Sequence, residues 1–176
     1  LFEKLSLARN GQTQKLAKRV ADIHYNLGND LYENFLGNTM VYSCAYWKGI
    51  DDPNALDQAQ TNKMDLIARK LKLKEGMKVL DIGCGWGAMA KFLATKYKVS
   101  VVGYTLSKEQ AAYCRKHCEG LDVEIRLDDY RNAVGKYDRA YSIGFAEHVG
   151  IQNFRAYYEV VERCLVDGGM HLVHAI

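Results

Sequence analysis

The sequence predicts a doubly wound α/β domain with a mostly parallel sheet and a helical N-terminal extension. From residue 77 onward, apolar segments of strand length alternate with segments of helical periodicity, and the connections between them are short. The first apolar segment runs directly into three alternate glycines, a turn that commonly joins a strand to a helix around a ligand. The 176 residues, 48% of them apolar, are enough for one hydrophobic core of ordinary size.

Charge and cysteine content exclude several classes of protein. Twenty-four basic and 21 acidic side chains leave a net charge of +3, too mild a balance to indicate a nucleic-acid partner. No run of 18 apolar residues is present, so we expect no bilayer-spanning helix. Five cysteines, odd in number and without a CxxC pair, predict reduced thiols in a cytoplasmic protein. Because no histidines or cysteines have the spacing of metal ligands, we expect no metal.

The N-terminal part differs in composition from the rest of the chain. We predict a helical segment on the substrate side over residues 1–55 and the α/β core over residues 56–176. Basic residues at Lys15, Lys18 and Arg19 lie among apolar residues at helical spacing, which indicates an amphipathic helix. Further along, Asp52 and Pro53 predict a helix start, with aspartate as the cap and proline at the first helical position.

Five strands alternating with three helices are predicted for the core. We expect strands over residues 78–82, 99–103, 122–127, 138–143 and 170–175, and helices over residues 87–97, 107–119 and 152–165. This alternation is typical of a parallel sheet covered on both faces. Five strands are few for such a sheet, and the chain stops at the carboxyl end of the last one. We therefore expect a truncated sheet whose C-terminal strands are missing.

The glycine-rich turn of residues 83–87 carries the strongest functional signal. Its spacing also fits the fingerprint of dinucleotide-binding domains. Those domains place an acid at the end of the second strand, where this chain has Gly103, Tyr104 and Thr105. In addition, Asp81 lies two residues before the first glycine, where a carboxylate suits a cationic ligand and would repel a pyrophosphate. S-adenosylmethionine, a sulfonium without phosphates, fits better; a turn that only packs a helix on a strand is the alternative.

Two further segments follow the second and third predicted strands. Ser107 and Gln110 form an S-x-x-Q capping box for the next helix, and Thr105 with Gln110 is also placed to hold a ribose. After the third strand, Asp129 is placed to meet an adenine amino group and Tyr130 to cover its ring. The alternative for the acidic residues at this position is a solvated pair of turn carboxylates.

The chain resembles the cyclopropane-fatty-acyl-phospholipid synthase family, which includes the mycolic acid cyclopropane synthases. The similarity runs over nearly the whole chain from about residue 20 and is carried by residues 24–30, 42–47, 79–87, 105–110, 147–150 and 172–174. The resemblance implies a Rossmann-like class I methyltransferase fold. It also implies transfer of a methylene group from S-adenosylmethionine to the cis double bond of an unsaturated phospholipid acyl chain, which forms a cyclopropane ring through a carbocation.

Site residues follow from the same resemblance. It implies cofactor-binding positions at Tyr42, Ser43, Val79, Leu80, Asp81, Ile82, Gly83, Cys84, Gly85, Trp86, Gly87, Thr105, Leu106, Ser107, Lys108, Glu109 and Gln110, to which the argument above adds Asp129 and Tyr130. It further implies a bicarbonate ion that serves as the base, held by Cys44, Glu147, His174 and Ile176, with the first three as catalytic residues.

Each of these three has a plainer interpretation on its own. Glu147 is also explained as an acid near the start of the helix over residues 152–165, His174 as a hydrogen-bonded core histidine, and Cys44 as a small apolar filler. The chemistry agrees with the resemblance, because a carbocation is stabilised by aromatic faces, and the N-terminal segment supplies Tyr25, Tyr42, Tyr46 and Trp47.

Partners and competing functions follow from the substrate. A phospholipid acyl chain must leave the bilayer to react, so we expect peripheral contact at the inner membrane face, with the Lys15, Lys18 and Arg19 helix as the candidate surface. A solvated basic face is the alternative, and a homodimer is compatible with the sequence. The competing functions are an N-methyltransferase acting on a small amine and a non-catalytic methyltransferase-like binding module.

Overall fold

The structure is a computed structural model that describes residues 10–14, 16–17 and 29–176. The predicted basic helix, with Lys15, Lys18 and Arg19, lies outside the described residues, as does Tyr25. At the centre is a five-stranded sheet in the order β3-β2-β1-β4-β5, in which every neighbouring pair is parallel. Its strands are β1 Lys78–Ile82, β2 Ser100–Thr105, β3 Val123–Leu127, β4 Tyr137–Ile143 and β5 Leu165–His174.

Helices cover both faces of this sheet. They are α1 Asn29–Leu36, α2 Leu56–Lys70, α3 Ala88–Tyr97, α4 Lys108–His117, α5 Ala146–Val149 and α6 Phe154–Cys164. On one face, α2, α3 and α4 pack against alternate sheet residues such as Val79 and Ile125. On the other face, α6 packs against Leu80 and Ile82. The alternation of residues along β1 thus explains the two cores, and the predicted doubly wound fold is confirmed.

Most predicted elements agree with the structure within two residues at their ends. The prediction for Asp52 and Pro53 was wrong, because α2 begins at Leu56 and has no side-chain cap. Asp52 instead closes a turn: its Oδ1 accepts from the Asn54 N–H at 2.8 Å and its carbonyl accepts from the Ala55 N–H at 3.1 Å. Aspartate followed by proline is equally typical of a β-turn, and the turn is what forms here.

The fifth strand also differs from its prediction. It begins at Leu165, directly after α6, rather than at residue 170. Leu165 pairs with Tyr137 and Met170 with Arg139, and the register shifts between these two pairs. The intervening residues include two glycines, which have the composition of a turn but lie in an irregular stretch of strand.

The strand order determines at which edge of the sheet a ligand crevice lies. The chain moves outward from β1 through β2 to β3, then returns to the other side of β1 for β4 and β5. A crevice opens at such a switch point, outside the carboxyl ends of the two strands that flank it. In this fold it lies beyond Ile82 of β1 and Ile143 of β4, next to the glycine-rich turn.

Candidate active site at the carboxyl edge of the sheet

The three glycines of the turn have different physical roles. All adopt positive φ: +85° at Gly83, +53° at Gly85 and +81° at Gly87. A Cβ at Gly83 would collide with the ring of Phe145, and one at Gly87 would lie 2.9 Å from the Cys114 sulfur. At Gly85, by contrast, a Cβ would meet nothing within 4 Å. Gly85 therefore leaves open space at the crevice, whereas its neighbours are fixed by packing.

A cavity of about 200 Å³ occupies this crevice. Thirteen of the predicted cofactor-binding residues line it, namely Tyr42, Ser43, Asp81, Gly83, Cys84, Gly85, Trp86, Thr105, Leu106, Ser107, Gln110, Asp129 and Tyr130. Six do not. Val79, Leu80 and Ile82 are buried in the cores, Gly87 packs against Cys114, and Lys108 and Glu109 are exposed on α4. The role of all nineteen in cofactor binding stays a prediction.

Asp81 is a buried carboxyl that faces the cavity. It is 2% exposed, and its Oδ2 accepts a hydrogen bond from the Tyr141 hydroxyl at 2.7 Å. Burial raises the pKa of Asp81 to about 7, although the Tyr141 hydrogen bond acts in the opposite direction. No cationic side chain in the described part of the chain pairs with it. A cationic ligand in the cavity would favour the ionised carboxylate.

The loop after β2 forms half of the predicted capping box. The Gln110 N–H donates to Ser107 Oγ at 3.2 Å, as expected of a cap. The Gln110 side chain does not return to the Ser107 N–H. Instead, its Oε1 accepts from the Thr105 hydroxyl at 2.8 Å, and Thr105 Oγ1 accepts from the Ser107 N–H at 3.2 Å. Thr105 therefore fixes the orientation of Gln110 at the cavity wall.

The acidic residues after β3 have separate environments. Asp128 is exposed, as the solvated interpretation expects. Asp129 is 5% exposed, and both of its oxygens accept from the Arg131 guanidinium, at 2.8 and 2.7 Å. Sequence reasoning missed Arg131, because two residues of separation in a loop give no periodic signal. Tyr130 is buried: the Arg131 guanidinium lies 5.5 Å from the centroid of its ring, and the Phe145 ring meets it edge to face at 5.2 Å.

A second cavity of about 170 Å³ lies between α2 and β5 and contains part of the predicted bicarbonate site. Cys44 Sγ and His174 Nε2 line it and are 3.6 Å apart. Glu147, on the short helix α5 rather than on α6, accepts from the Ile176 N–H at 2.8 Å. The structure thus joins the four predicted residues in two contacting pairs around the end of β5. Their role in holding an anion stays a prediction.

His174 has an unsatisfied polar atom at this position. Its Nδ1 is buried and has no hydrogen-bond partner among the described residues. Burial lowers the pKa of His174, the charge of Lys63 lowers it further, and Glu147 acts in the opposite direction. The imidazole is therefore neutral near pH 7, with one ring nitrogen available to a ligand.

Lys63 is a site residue that sequence reasoning missed. It is 4% exposed, its Nζ lies 2.7 Å from Ser43 Oγ, and it lines both cavities. The sequence offered one signal for it: the core-facing stripe of α2 contains two polar residues, Gln60 and Lys63, among the apolar Ala59, Met64 and Ile67. Polar residues on a core-facing stripe need partners, and a site is one explanation for them.

Aromatic residues surround the mouth of the first cavity. Tyr32 of α1 packs against Trp86 of the glycine turn, with ring centroids 4.5 Å apart, and Tyr42 meets Tyr32 edge to face at 5.9 Å. Tyr42 lines the cavity and is 58% exposed. Tyr46 lines the second cavity instead, and Trp47 lines neither. Of the four rings predicted near the reacting centre, Tyr42 is the one that the described structure places in the crevice.

The strand order and the glycine turn at the switch point define a Rossmann-like domain. A buried carboxyl at Asp81 with no cationic partner among the described residues favours the S-adenosylmethionine-dependent methyltransferase class over dinucleotide-binding domains. The family model described as mycolic acid cyclopropane synthetase matches residues 12–176. The chain belongs to this family.

Individual relatives agree with this assignment. The cyclopropane-fatty-acyl-phospholipid synthase of Escherichia coli K12 is 50% identical over 167 residues, which are 95% of this chain and 43% of that protein. Cyclopropane mycolic acid synthase 3 of Mycobacterium tuberculosis is 41% identical over 87% of this chain and 54% of its own length. The chain therefore spans about half of each of these relatives.

Solved structures give the same result. The cyclopropane synthase MmaA2 from Mycobacterium tuberculosis has a TM-score of 0.85 at 36% identity, over 90% of this chain and 56% of that one. Mycolic acid cyclopropane synthase CmaA1, in complex with SAH and CTAB, has a TM-score of 0.84 at 36% identity, over 89% and 55%. Coclaurine N-methyltransferase, bound to N-methylheliamine and SAH, has a TM-score of 0.78 at 25% identity, over 89% and 46%.

Two features of the described residues bear on membranes and metals. None of the helices is both long and apolar enough to cross a bilayer. Within the same residues, no group of three or more histidine, cysteine, aspartate or glutamate side chains is arranged to hold a metal ion.

Proposed function

We propose that the protein binds S-adenosylmethionine in the crevice and transfers a methylene group to the cis double bond of an unsaturated phospholipid acyl chain. The observation that carries the proposal is the 50% identity to the Escherichia coli synthase over 95% of this chain. The family match over residues 12–176 includes the residues lining both cavities. The relatives CmaA1 and MmaA2, both cyclopropane synthases, support the same reaction class.

The residues at the crevice fit such a cofactor. Asp81 offers a buried carboxyl without a cationic partner among the described residues, which suits an amino or sulfonium group. Gly85 leaves open space where a ligand would approach the backbone, and Thr105 with Gln110 presents polar atoms for ribose hydroxyls. When bound, S-adenosylmethionine would supply a methyl group activated by its sulfonium. The protein would hold it in line with the acceptor and exclude water.

The second cavity supports a bicarbonate base. We propose that His174 donates to the ion through its unpartnered Nδ1, and that the Cys44 thiol donates to His174 Nε2 and so selects this tautomer. Glu147 accepts from the hydroxyl of the ion and raises its basicity. The ion would take a proton from the newly added methyl group, so that the ring can close on the carbocation. Tyr42, at the crevice mouth, is the ring placed to stabilise that cation.

A second candidate function differs in the acceptor of the transferred group. The coclaurine N-methyltransferase structure has a TM-score of 0.78 and acts on an amine, so N-methylation of a small amine is the competing reaction. A phospholipid acceptor would require peripheral contact of a cytoplasmic protein with the inner membrane face, whereas an amine would not. The third candidate function is a non-catalytic binding module, which would bind the cofactor without turnover.

The product distinguishes these functions. The protein in its full encoded length is incubated with methyl-labelled S-adenosylmethionine and either unsaturated phospholipid vesicles or a panel of small amines. We expect label in a lipid that has gained one CH₂ and lost its double bond. Label in an amine would establish the competing reaction. Cofactor binding without label in either acceptor would establish the binding module.

The cofactor site is tested by a matched pair of glycine substitutions. Gly85→Ala and Gly76→Ala both place a Cβ in open space at positive φ, at a cost of about 1–2 kcal/mol each. Of these two glycines, Gly85 lines the crevice and Gly76 does not. We expect Gly85→Ala to weaken S-adenosylmethionine binding by about tenfold or more, equal to about 1.4 kcal/mol, and Gly76→Ala to leave it unchanged. Equal affinities by calorimetry would remove the crevice as the cofactor site.

A further inference from the structure

Lys63 carries a buried ammonium with no counter-ion in the described structure. Its side chain is 4% exposed, and no carboxylate of the described residues lies within ion-pair distance of Nζ. Its hydrogen bonds go to Ser43, to Oγ at 2.7 Å and to the carbonyl oxygen at 3.5 Å. Burial lowers the pKa of Lys63 to about 8. An isolated charge in such a place costs free energy that a bound anion would offset.

The bonding around Lys63 leaves a donor for a ligand. An ammonium has three N–H donors, and Ser43 accepts two of them at most, one at the long distance of 3.5 Å. The Ser43 carbonyl already accepts from Gln60 Nε2 at 3.0 Å, so it depends little on the lysine. The strong bond of Lys63 is therefore to the Ser43 hydroxyl, and one donor has no partner among the described residues.

Lys63 lies between the two cavities. It lines the crevice together with Ser43, and it lines the second cavity together with Cys44 and His174. Cys44 follows Ser43 in the chain, so the bond from Nζ to Ser43 Oγ also fixes the backbone that carries the thiol. The charge of Lys63 reaches His174, whose pKa it lowers. The same ammonium thus affects both members of the Cys44–His174 pair.

We propose that Lys63 is a positioning residue that supplies the positive charge of the anion site at Cys44 and His174 and links that site to the cofactor crevice through Ser43. The inference rests on the proposed function, which names bicarbonate as the anion. It also resolves a difficulty of that proposal. Glu147 beside a bicarbonate would place two negative charges together, which is unfavourable unless a cation compensates. In the described structure Lys63 is the buried cation at this cavity, whereas Lys70 is exposed.

The test measures stabilisation of the protein by bicarbonate, a property that does not require turnover. Thermal unfolding is followed at fixed pH and ionic strength while bicarbonate replaces chloride. A ligand that binds the folded state stabilises it by RT ln(1 + [L]/Kd), so Tm rises with the ligand concentration. We expect the wild-type Tm to rise with bicarbonate and the Lys63→Met variant to show no such rise. The matched control is Lys91→Met, an exposed lysine of α3 that lines neither cavity, which should respond as wild type does.

A second variant separates charge from hydrogen bonding. Lys63→Gln removes the charge and keeps a donor for Ser43, so we expect an apparent bicarbonate affinity about tenfold or more below wild type, equal to about 1.4 kcal/mol. If Lys63→Gln responds to bicarbonate as wild type does, the charge is not what attracts the anion and the inference is overturned. It is equally overturned if Lys63→Met keeps the full wild-type response.

Binding of S-adenosylhomocysteine by calorimetry distinguishes this inference from the proposed function. We expect wild type to bind it; the Lys63 variants are compared by their response to bicarbonate, because Lys63 lines the crevice beside Ser43. If wild type binds it but bicarbonate gives no stabilisation, the inference fails and the cofactor assignment stands. If wild type does not bind it, the proposed function fails. In turnover, the bicarbonate concentration for half-maximal rate should rise in both variants.

Discussion

Asp81 shows how burial adapts a single carboxyl to a cationic ligand. Tyr141 donates to it from β4, and Cys84 and Cys118 are the other titratable groups close enough to influence this pair; all three are neutral near pH 7. The carboxyl consequently keeps its proton until about pH 7 in the free protein. A cation in the crevice would release that proton, so binding and ionisation are coupled.

Asp81→Asn should change the pH dependence of folding. Between its ordinary pKa and about 7, Asp81 is protonated in the folded state and ionised in the unfolded state. Its contribution to the free energy of unfolding therefore falls as pH rises, by about 1 kcal/mol between pH 6 and pH 8. We expect the stability of Asp81→Asn relative to wild type to increase by this amount over the same range, as measured by urea unfolding. Parallel curves for the two proteins would contradict it.

Glu147→Gln should separate binding from turnover. Glutamine keeps an oxygen for the Ile176 N–H, so the local structure is retained, but it is a poor acceptor for the bicarbonate hydroxyl. We expect nearly unchanged S-adenosylmethionine affinity and a rate lowered by about 10²–10⁴-fold, the range for loss of general-base catalysis. Added bicarbonate should stimulate wild type and have little effect on the variant. A fully active variant would place the base elsewhere.

Among individual site residues, sequence motifs predicted some, whereas residues defined only by their contacts in the folded protein were missed. Asp81, Gly85 and Gln110 were recognisable because a strand, a turn and a helix cap fix their spacing. Lys63 was not, because it meets Ser43 only when two separate segments pack together. Arg131 was not, because its separation of two residues from Asp129 in a loop gives no periodic signal and its other partner is distant in the chain. Their hydrogen bonds to Ser43 and to the Gln12 carbonyl span 20 and 119 residues of chain.

Elements are held together by polar as well as apolar contacts inside the core. The Tyr157 hydroxyl of α6 lies 2.7 Å from Ser142 Oγ on β4 and 2.9 Å from His171 Nε2 on β5. Tyr157 and Ser142 are fully buried. Burial lowers the pKa of His171 to about 4, so its ring is neutral and can share this hydrogen-bonded chain. One hydroxyl thus satisfies polar groups on two strands.

Tyr157→Phe should lower the free energy of unfolding by about 1–3 kcal/mol, because it leaves both groups without their shared partner. The neighbouring Tyr158 is 53% exposed, so Tyr158→Phe serves as the control and should change stability by less than about 0.5 kcal/mol. Urea unfolding of the three proteins checks this. Equal losses in the two variants would show that the hydrogen-bonded chain is not the cause.

Prediction of the elements succeeded where local pattern and final structure agree. The strands from β1 to β4 have apolar runs bounded by turn residues, and each was located within two residues. The two larger errors share a cause. Asp52 with Pro53 is compatible with a helix start and with a turn, and Gly168 with Gly169 has turn composition although the segment pairs with β4. In both places long-range packing decides between local alternatives.

In the whole molecule, both candidate sites lie at one edge of the sheet. The crevice and the second cavity both lie at the carboxyl ends of the strands, and α2 contacts both of them. A phospholipid acceptor must reach this edge from a bilayer. The basic residues Lys15, Lys18 and Arg19 precede α1, whose Tyr32 packs on the glycine turn, so the predicted membrane surface is close in sequence to the crevice mouth.

Replacing these three residues with alanine should weaken binding to anionic vesicles. Each basic residue near such a surface contributes about 1 kcal/mol, and the contribution falls with added salt. Triple replacement of Lys74, Lys91 and Lys116, which are exposed on other parts of the surface, removes the same charge and should have a much smaller effect. Co-sedimentation measures both. Salt-independent binding, or equal losses in the two triple variants, would remove this surface as the docking site.

The strand order has a further consequence for the chain during synthesis. Tyr104 and Arg126, neighbours on β2 and β3, are 22 residues apart, whereas Asp81 and Tyr141, neighbours on β1 and β4, are 60 apart. At about 5–20 residues per second on the ribosome, β4 emerges several seconds after β1. Until then one edge of β1 is unpaired and open to strands of other chains. When β4 docks, it closes that edge and completes the crevice in the same step.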